Sequence, residues 1–341
     1  MHITLNKHDL TTALDTIEKA VSKSNTLPIL QGVLICAGDT VELSATNTQV
    51  YAKSTIDCRV DDVGSVIVDG KLFSQAVKKL GDVITLETKG DKLNIQSGRS
   101  RFSLGIINED FPAMTTDAEL IHMVEAEDLQ RVIKQTTFAT IDNPAKPYTG
   151  GVMFGEYAVS TDANRLAIAP LGMSGDYILP ASSLAILNKL SSQVTIHKAS
   201  NELIFCDERN RIAIRLIDSK FPDWKSLVPL NAPISLVVER KDFLGVIGRA
   251  SLVSGDYNAV KLSVDEGLVT ASIQGEINEF EESIEVEHEG SGELHLSAKY
   301  LADYLKVAEG DQVTLGLNDN LRPCLLTSGD YRYILMPVRR G

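Results

Sequence analysis

The chain has 341 residues, of which 43% are hydrophobic, and it carries a formal net charge of −13. This apolar content excludes a disordered chain, and no apolar run is long enough to cross a membrane as a helix. The four cysteines are far apart and form no CxxC pair, which favours reduced thiols over disulfides or a zinc site. Because the first residues also lack the basic segment and apolar run of a signal peptide, the sequence predicts a cytoplasmic protein without metal or cofactor.

A threefold repeat emerges when the predicted elements are taken in chain order. Three segments combine a short apolar strand, an aspartate and an amphipathic helix, with Asp9, Asp128 and Asp242 at the same position in each. Apolar residues lie four residues before and one, four and five residues after each aspartate, and the last three positions form one face of a helix. The aspartates are 119 and 114 residues apart, which is the size of a domain rather than of a solenoid repeat.

A second helix follows in each repeat and opens near a small residue, which is Gly70, Ala181 or Ala298. Strands that alternate apolar and polar residues fill the rest, as in antiparallel sheets with one solvated face. We therefore predict an α+β fold of three repeated domains, each with two helices packed on antiparallel sheets. The predicted domains are 1–118, 119–230 and 231–341, and the predicted helices are 6–21, 71–80, 127–138, 181–191, 239–253 and 297–307.

The predicted helices are more basic than the rest of the chain. Together they carry a formal charge of +5, which leaves −18 on the strands and loops. If the helices share one surface, that surface could hold phosphates through Lys and Arg without reading the bases. Lysines on solvated helix faces explain the charge alone equally well, but equivalent helices in repeated domains can be arranged by rotation to line a ring.

Several short segments resemble signatures of the bacterial DNA polymerase III β subunit, the β sliding clamp family. They occur in the order found in that family and span essentially the whole chain, so that together they are far more specific than any one alone. The segments are residues 26–30 (TLPIL), 97–104 (SGRSRFSL), 110–112 (DFP), 151–154 (GVMF), 160–167 (STDANRLA), 221–224 (FPDW) and 333–339 (YILMPVR).

The resemblance implies a DNA sliding clamp that performs no catalysis and confers processivity. In this family two three-domain chains join head to tail into a ring of six similar domains lined by twelve helices, which encircles duplex DNA without sequence preference. The implied partners are a second copy of the chain, the DNA polymerase III catalytic subunit, a clamp loader, and other polymerases and repair proteins that carry short clamp-binding peptides. The family's interface assigns Phe102 and Leu104 to the first-domain side and Leu252 and Val253 to the third-domain side, although all four could be ordinary core residues.

The resemblance also implies an apolar cleft for partner peptides. A preformed cavity suits leucine and phenylalanine anchors, Met336 can adapt to several partners, and Arg165 could hold a peptide carbonyl or acid. Ala163 and Asn164 replace the family's usual Gly-His, and Thr149 a usual leucine; because alanine tolerates positive φ poorly, we expect a reshaped loop. The simpler alternative is an interdomain core. The matched positions are Thr149, Thr161, Ala163, Asn164, Arg165, Leu166, Pro222, Leu227, Pro323, Ile334, Met336, Pro337 and Val338.

DNA-facing side chains are predicted on the helices and on loops next to the matched motifs. Tyr148 matches a family tyrosine that lies near DNA, whereas the loop lysines could equally be solvated charges. The predicted set is Lys23, Lys78, Lys79, Arg131, Lys134, Lys146, Tyr148, Lys189, Arg240, Lys241, Arg249 and Lys299.

Two other classes of function stay open at this stage. An enzyme is one, but the six histidines form no HExxH or other metal spacing, and no GxSxG, Walker A or GxGxxG signature occurs. Without an ATP-binding motif the chain cannot load itself onto DNA, so a separate loader is implied by the resemblance. The other alternative is an accessory or decoy clamp-like protein that binds polymerase without closing a ring.

Overall fold

The computed structural model describes residues 1–22, 27–253, 259–275 and 278–338. The chain divides into two compact units. The first unit contains Met1–Gln130 and Ser182–Leu216, and the second contains Arg131–Ala181 and Ile217–Gly341.

Six α-helices occur in the described part of the chain, where six are predicted. Asp9, Asp128 and Asp242 each lie in the first turn of a helix, where a carboxylate interacts favourably with the helix dipole. The helices are α1 (Lys7–Ile17), α2 (Gly70–Lys78), α3 (Ala126–Thr136), α4 (Ala181–Leu184), α5 (Arg240–Ser251) and α6 (Ala298–Val307). The fourth differs from its prediction, because the chain continues after α4 as a 3-10 helix over Ala185–Lys189.

The strands of the described residues follow in chain order. They are β1 (His2–Asn6), β2 (Gly32–Ala37), β3 (Val41–Thr46), β4 (Val50–Ile56), β5 (Arg59–Asp62), β6 (Gly64–Asp69), β7 (Val83–Lys89), β8 (Lys92–Ser97), β9 (Ser100–Gly105), β10 (Glu119–Glu125), β11 (Gly151–Phe154), β12 (Tyr157–Thr161), β13 (Arg165–Pro170), β14 (Tyr177–Pro180), β15 (Gln193–Lys198), β16 (Glu202–Cys206), β17 (Asn210–Arg215), β18 (Ile234–Glu239), β19 (Ala259–Asp265), β20 (Leu268–Gln274), β21 (Glu279–Glu285), β22 (Glu287–Glu289), β23 (Gly292–Ser297), β24 (Gln312–Leu317), β25 (Cys324–Ser328) and β26 (Tyr331–Leu335).

The first unit contains two antiparallel sheets. The five-stranded sheet has the order β5-β1-β7-β8-β9, and the eight-stranded sheet has the order β10-β15-β16-β17-β4-β3-β2-β6. In the larger sheet β17 pairs with β4, with Asn210 opposite Ser54. Leu10, Leu14 and Phe73 of the neighbouring helices α1 and α2 are buried, so the core of this unit lies under its helices.

The second unit is built in the same way from a nine-stranded and a four-stranded antiparallel sheet. Their orders are β14-β11-β12-β13-β26-β25-β24-β18-β22 and β21-β20-β19-β23. In the larger sheet β13 pairs with β26, with Arg165 opposite Leu335 and Leu166 opposite Ile334. Helices α5 and α6 contact each other and bury Phe243 and Tyr304.

The order of the strands repeats three times. The sets β1-β7-β8-β9, β10-β15-β16-β17 and β18-β24-β25-β26 share one order, and the sets β6-β2-β3-β4, β14-β11-β12-β13 and β23-β19-β20-β21 share another. Three backbone hydrogen bonds also recur at matching places, from Lys7 N to Asp82 O, from Ala126 N to Ser192 O and from Arg240 N to Asp311 O, at 2.7, 2.8 and 2.7 Å. The repeat in the sequence is therefore a repeat of the fold.

The two compact units are not the three predicted domains. The eight-stranded sheet contains strands from both sides of residue 118, and the nine-stranded sheet contains strands from both sides of residue 230. Because the sheets cross both predicted boundaries, the division into compact units does not locate the domain boundaries. The boundaries stay a prediction.

Candidate functional site

The predicted cleft residues all belong to the second unit. Thr149 lies on the 3-10 helix Pro147–Gly150, and Thr161 to Leu166 form the turn between β12 and β13 and the start of β13. Pro323 comes just before β25, Ile334 lies on β26, and the residues after β26 are the tail Met336–Val338.

A buried apolar cluster underlies these positions. Leu166 and Ile334 face each other across the β13–β26 ladder and are buried together with Trp224. Tyr148 and Phe221 pack against the cluster from its half-exposed side, with ring centroids 5.6 Å apart in an edge-to-face arrangement. Partly exposed aromatic side chains beside an apolar core are of the kind that suits apolar anchors.

Two of the predicted cleft residues keep large apolar side chains open to solvent. Leu227 is 52% exposed and Met336 is 38% exposed. By contrast Thr149 is buried, and its Oγ1 lies 2.8 Å from the carbonyl oxygens of Ile141 and Lys146. The hydroxyl of Thr149 is therefore used to hold its own loop.

The turn between β12 and β13 has an alanine where the family usually has glycine, and the reshaped loop expected there stays a prediction. Ala163 has φ +78°, in the left-handed region that favours glycine. Its N–H donates to Thr161 Oγ1 at 3.0 Å, and Asp162 Oδ1 accepts from the N–H groups of Asn164 and Arg165 at 3.0 and 3.1 Å. These hydrogen bonds stabilise a conformation that glycine would adopt without steric strain. Ala163 and Asn164 are both exposed.

Arg165 is engaged inside the protein. Its Nε donates to Asp162 Oδ2 at 2.7 Å, its Nη1 to Asp303 Oδ2 at 2.8 Å and its Nη2 to the carbonyl oxygen of Phe138 at 2.7 Å. The guanidinium carbon lies 4.0 Å from the centroid of the Tyr300 ring. Burial alone would lower the pKa of Arg165, but Tyr333 and the two carboxylates raise it overall, so the charge is permanent. This geometry favours a role in shaping the turn over direct contact with a peptide.

Trp224, Tyr300 and Asp303 belong to this region and are absent from the predicted set. Trp224 lies inside the matched FPDW segment, so its apolar character was a usable signal. Tyr300 and Asp303 lie on α6, and Asp303 is 138 residues from Arg165 in the sequence. No local pattern could have linked them to the cleft.

The tail after β26 is fixed by two backbone hydrogen bonds. Met336 N donates to Asn164 O at 2.9 Å, and Val338 N donates to His295 O at 2.8 Å. The tail is therefore attached to the β12–β13 turn on one side and to β23 on the other.

Apart from Arg131, the predicted DNA-facing cations of the described residues fall into two groups. Some already have internal partners: Lys78 lies 3.4 Å from both Asp15 and Glu18, Arg249 makes a bidentate pair with Glu282, and Arg240 donates to the carbonyls of Gly310 and Leu305. Others are exposed and, within the described residues, take part in no salt bridge: Lys79, Lys134, Lys146, Lys189, Lys241 and Lys299. Arg131 is half-buried at the second turn of α3.

Tyr148 and Lys23 are the two further predicted DNA contacts. Tyr148 packs against the apolar cluster and is partly buried. Lys23 lies outside the described residues.

The four predicted interface residues lie on an edge strand and directly after a helix. Phe102 and Leu104 are on β9, the edge of the five-stranded sheet, and Phe102 is 39% exposed. Leu252 and Val253 follow α5 directly, and Leu252 is 83% exposed. The high exposure of Leu252 is unlike an ordinary core residue.

The described residues also lack the arrangements that a metal site or a membrane-spanning helix needs. Within the described part of the chain, no three His, Cys, Asp or Glu side chains come together as a metal site would require. No described helix is long and apolar enough to span a membrane. The four cysteines are free thiols, and burial raises the pKa of Cys324 to about 11.

Three family models match consecutive parts of the chain. They are the N-terminal, central and C-terminal domains of the DNA polymerase III beta subunit, over residues 1–115, 123–223 and 225–339. A beta sliding clamp of Staphylococcus aureus is 30% identical, with 99% of each chain covered.

Solved structures of sliding clamps match the fold over the whole chain. A DNA polymerase sliding clamp from Bacillus subtilis is 28% identical with a TM-score of 0.92, and both chains are covered completely. A DnaN sliding clamp from Pseudomonas aeruginosa, solved bound to griselimycin, is 25% identical with a TM-score of 0.93 and the same complete coverage.

The three domain matches and the end-to-end similarity to a relative at 30% identity agree with the threefold fold and with the segments quoted above. The chain therefore belongs to the DNA polymerase III beta subunit family of sliding clamps, whose members are non-catalytic processivity factors of DNA polymerase III.

Proposed function

We propose that two copies of this sliding clamp close head to tail into a ring around duplex DNA, and that the cleft of the second unit holds short peptides of replication and repair proteins. The partners in this proposal are the DNA polymerase III catalytic subunit, a clamp loader, other polymerases and repair proteins, all in the cytoplasm. The repeated strand order is the observation that carries the ring.

The repeat leaves two strands without their counterparts. Inside the chain, β17 pairs with β4 and β26 pairs with β13, each time joining the last strands of the two recurring sets. By the same order β9 and β21 should pair, yet each is the outer strand of its sheet in the described residues. Pairing β9 with β21 of a second copy would continue both sheets and remove two exposed edges. Such a head-to-tail contact, made twice, closes a dimer.

The two edges are complementary in charge. Arg99 and Arg101 lie on or just before β9, which contains no acidic residue. The sequence of β21, EFEESIE, contains four glutamates and no basic residue. Opposite charges on paired strands favour this pairing and disfavour the pairing of either strand with itself.

Duplex DNA would be held by the exposed helix lysines that form no salt bridge within the described residues. Lys79, Lys134, Lys189, Lys241 and Lys299 meet this condition. Contacts of this kind reach phosphates and not bases, so they suit a protein that slides without sequence preference.

The ring is tested by sedimentation and by retention on circular DNA. We expect a dimer at micromolar concentration, and a protein that stays on nicked circular DNA after a clamp loader and ATP have placed it there. Cutting the circle should release the protein, since a closed ring is held by topology. A stable monomer, or protein that remains bound after the cut, would favour the accessory clamp-like alternative.

The cleft is tested with a fluorescein-labelled short peptide whose anchors are one leucine and one phenylalanine. Met336→Ala removes an exposed adaptable side chain from the cleft, so we expect peptide affinity to fall roughly tenfold while the dimer is unchanged. Met123→Ala is the matched control, because Met123 on β10 is similarly exposed at 47% and lies in the other unit. Equal peptide affinity for the wild type and Met336→Ala would contradict the assignment.

A further inference from the structure

One buried guanidinium, that of Arg165, joins the β12–β13 turn to α6. We propose that Asp303, on α6, is a positioning residue that sets the peptide affinity of the cleft by holding Arg165. The proposal rests on the peptide-binding function proposed above, and it concerns a residue that is not itself expected to contact the peptide.

Arg165 is suspended between two carboxylates. Asp162 Oδ2 accepts from Nε at 2.7 Å and Asp303 Oδ2 from Nη1 at 2.8 Å. The side chains of Arg165 and Asp162 are buried, and that of Asp303 is mostly so. Loss of either carboxylate leaves a buried cation with one partner fewer, which is a costly arrangement that the structure must relax.

Asp162 shapes the turn and holds the guanidinium at the same time. While its Oδ2 binds Arg165 Nε, its Oδ1 accepts from the backbone N–H groups of Asn164 and Arg165. The carbonyl of Asn164 in turn accepts from Met336 N at 2.9 Å. If Asp162 moves together with the guanidinium, it must therefore move the turn as well. The turn contains Asn164 O, which accepts the hydrogen bond that anchors the tail.

Asp303 prevents this movement by holding the guanidinium from the α6 side. Without its charge, the strongest remaining acceptor near Arg165 is Asp162, which a guanidinium can bind through two nitrogens at once. Asp162 Oδ1 would then leave the amides of Asn164 and Arg165. We expect the turn to loosen, the hydrogen bond of Met336 N to open more often, and the cleft to lose its preformed shape.

The coupling is reciprocal. If Asp303 stabilises the peptide-binding shape of the turn, a bound peptide must stabilise the contact of Asp303 with Arg165 to the same extent. Peptide binding should therefore slow hydrogen exchange of the amides around Asp303 on α6 in the wild type, and should do so much less in Asp303→Asn.

The test uses the full chain and the labelled peptide with leucine and phenylalanine anchors. Asp303→Asn keeps the shape of the side chain and removes its charge, and we expect peptide affinity to fall about tenfold, the loss of one charge-assisted hydrogen bond. The Met336 amide should also exchange several times faster. Asp303→Glu restores the carboxylate and should recover part of both losses. Asp311→Asn, an exposed aspartate just after α6, is the control and should behave as the wild type.

Two outcomes would overturn the proposal. One is an Asp303→Asn variant with wild-type peptide affinity. The other is weakened affinity with an unchanged exchange rate of the Met336 amide, because the effect would then not pass through the turn. A wild type that binds no peptide would contradict the proposed function instead, and the exchange rate of Met336 would still test the positioning. If Asp303→Asn folds poorly, the exchange rate of the Met336 amide is measured in Asp303→Glu. The rate should exceed that of the wild type, because the longer side chain displaces the carboxylate, and an unchanged rate would contradict the proposal.

Discussion

Three tyrosines beside the Arg165 network form a buried stack, and their hydroxyls differ in how they are satisfied. The Tyr304 ring lies 5.5 Å from Tyr331 and 5.2 Å from Tyr333. Tyr331 donates its hydroxyl to Gln135 O at 2.8 Å and Tyr333 donates to Tyr300 O at 3.2 Å. Tyr304 Oη has no hydrogen-bond partner among the described residues, and burial raises the pKa of Tyr304.

This difference predicts opposite effects of the same substitution. Tyr304→Phe removes an unsatisfied buried hydroxyl, so the free energy of unfolding should rise by about 1 kcal/mol. Tyr331→Phe leaves the buried carbonyl of Gln135 without its donor, so the free energy of unfolding should fall by about 1–2 kcal/mol. Urea denaturation of both variants measures the two values. A loss of stability in Tyr304→Phe equal to that in Tyr331→Phe would contradict the prediction.

Ala163 offers a second test at the level of one residue. Its positive φ costs alanine roughly 1–2 kcal/mol, whereas glycine costs about 0.5–1 kcal/mol through the entropy of the unfolded chain. Ala163→Gly should therefore raise the free energy of unfolding by about 0.5 kcal/mol. Ala145→Gly is the control, because Ala145 is exposed and is not among the described residues with positive φ, and there glycine should be destabilising. A fall in the free energy of unfolding on Ala163→Gly would show that the turn is unstrained.

At the scale of the helices and strands, periodicity carries most of the fold. Apolar residues spaced three and four apart around Asp9, Asp128 and Asp242 were enough to predict α1, α3 and α5, because these helices bury one continuous face. The same spacing could not separate α-helix from 3-10 helix in the segment that begins with α4, where Ser182 and Ser183 of α4 can compete for backbone hydrogen bonds. The pairing of β17 with β4 joins residues more than 150 positions apart, and no local pattern encodes it.

The same limit applies to the charged side chains of the candidate site. Lys78 and Arg165 read in the sequence as free cations that could meet a ligand. Asp162, one partner of Arg165, lies only three residues away, but Asp303 and the two partners of Lys78, Asp15 and Glu18, lie 60 or more residues from their cations. Only the fold reveals these distant pairs. Apolar positions such as Leu166 and Ile334 were easier to predict, since burial follows from the matched strand patterns themselves.

The exposed helix lysines that form no salt bridge within the described residues lead to a prediction about DNA. Lys79→Gln should speed the dissociation of the clamp from linear DNA and reduce the salt dependence of binding by roughly one phosphate contact, because Lys79 is exposed at the end of α2. Lys92→Gln is the matched control, since Lys92 is an exposed lysine on strand β8. Measuring DNA affinity across a range of salt concentrations gives, for each variant, the slope of log affinity against log salt concentration. Equal effects of the two substitutions would mean that the helices do not form the DNA-facing surface.

At the scale of the whole molecule, the repeat leaves two unlike strands, β9 and β21, without their counterparts in the described residues, where a symmetric dimer interface would need one self-complementary surface. β9 is apolar and basic, whereas β21 is acidic, and each is an outer strand of a different sheet. Contacts between unlike surfaces build closed rings or open filaments, depending on the rotation between neighbours. A closed ring therefore needs both β9–β21 contacts of the dimer to be intact at once. An ordinary dimer does not have this requirement, so an experiment can distinguish the two.

The separation uses two variants that each break one side of the contact. Phe102→Asp places a charge on β9, and Leu252→Asp places one on the exposed turn after α5, so each variant alone should dissociate at least about 100-fold more readily than the wild type. In a mixture, the intact β9 of the Leu252→Asp chain can still meet the intact β21 side of the Phe102→Asp chain. We expect sedimentation to show a mixed dimer held by one contact. That dimer should not stay on nicked circular DNA, because its second contact is broken and the ring is open. Variants that restore each other's retention on the circle, or that form no mixed dimer, would contradict a head-to-tail ring closed through β9 and β21.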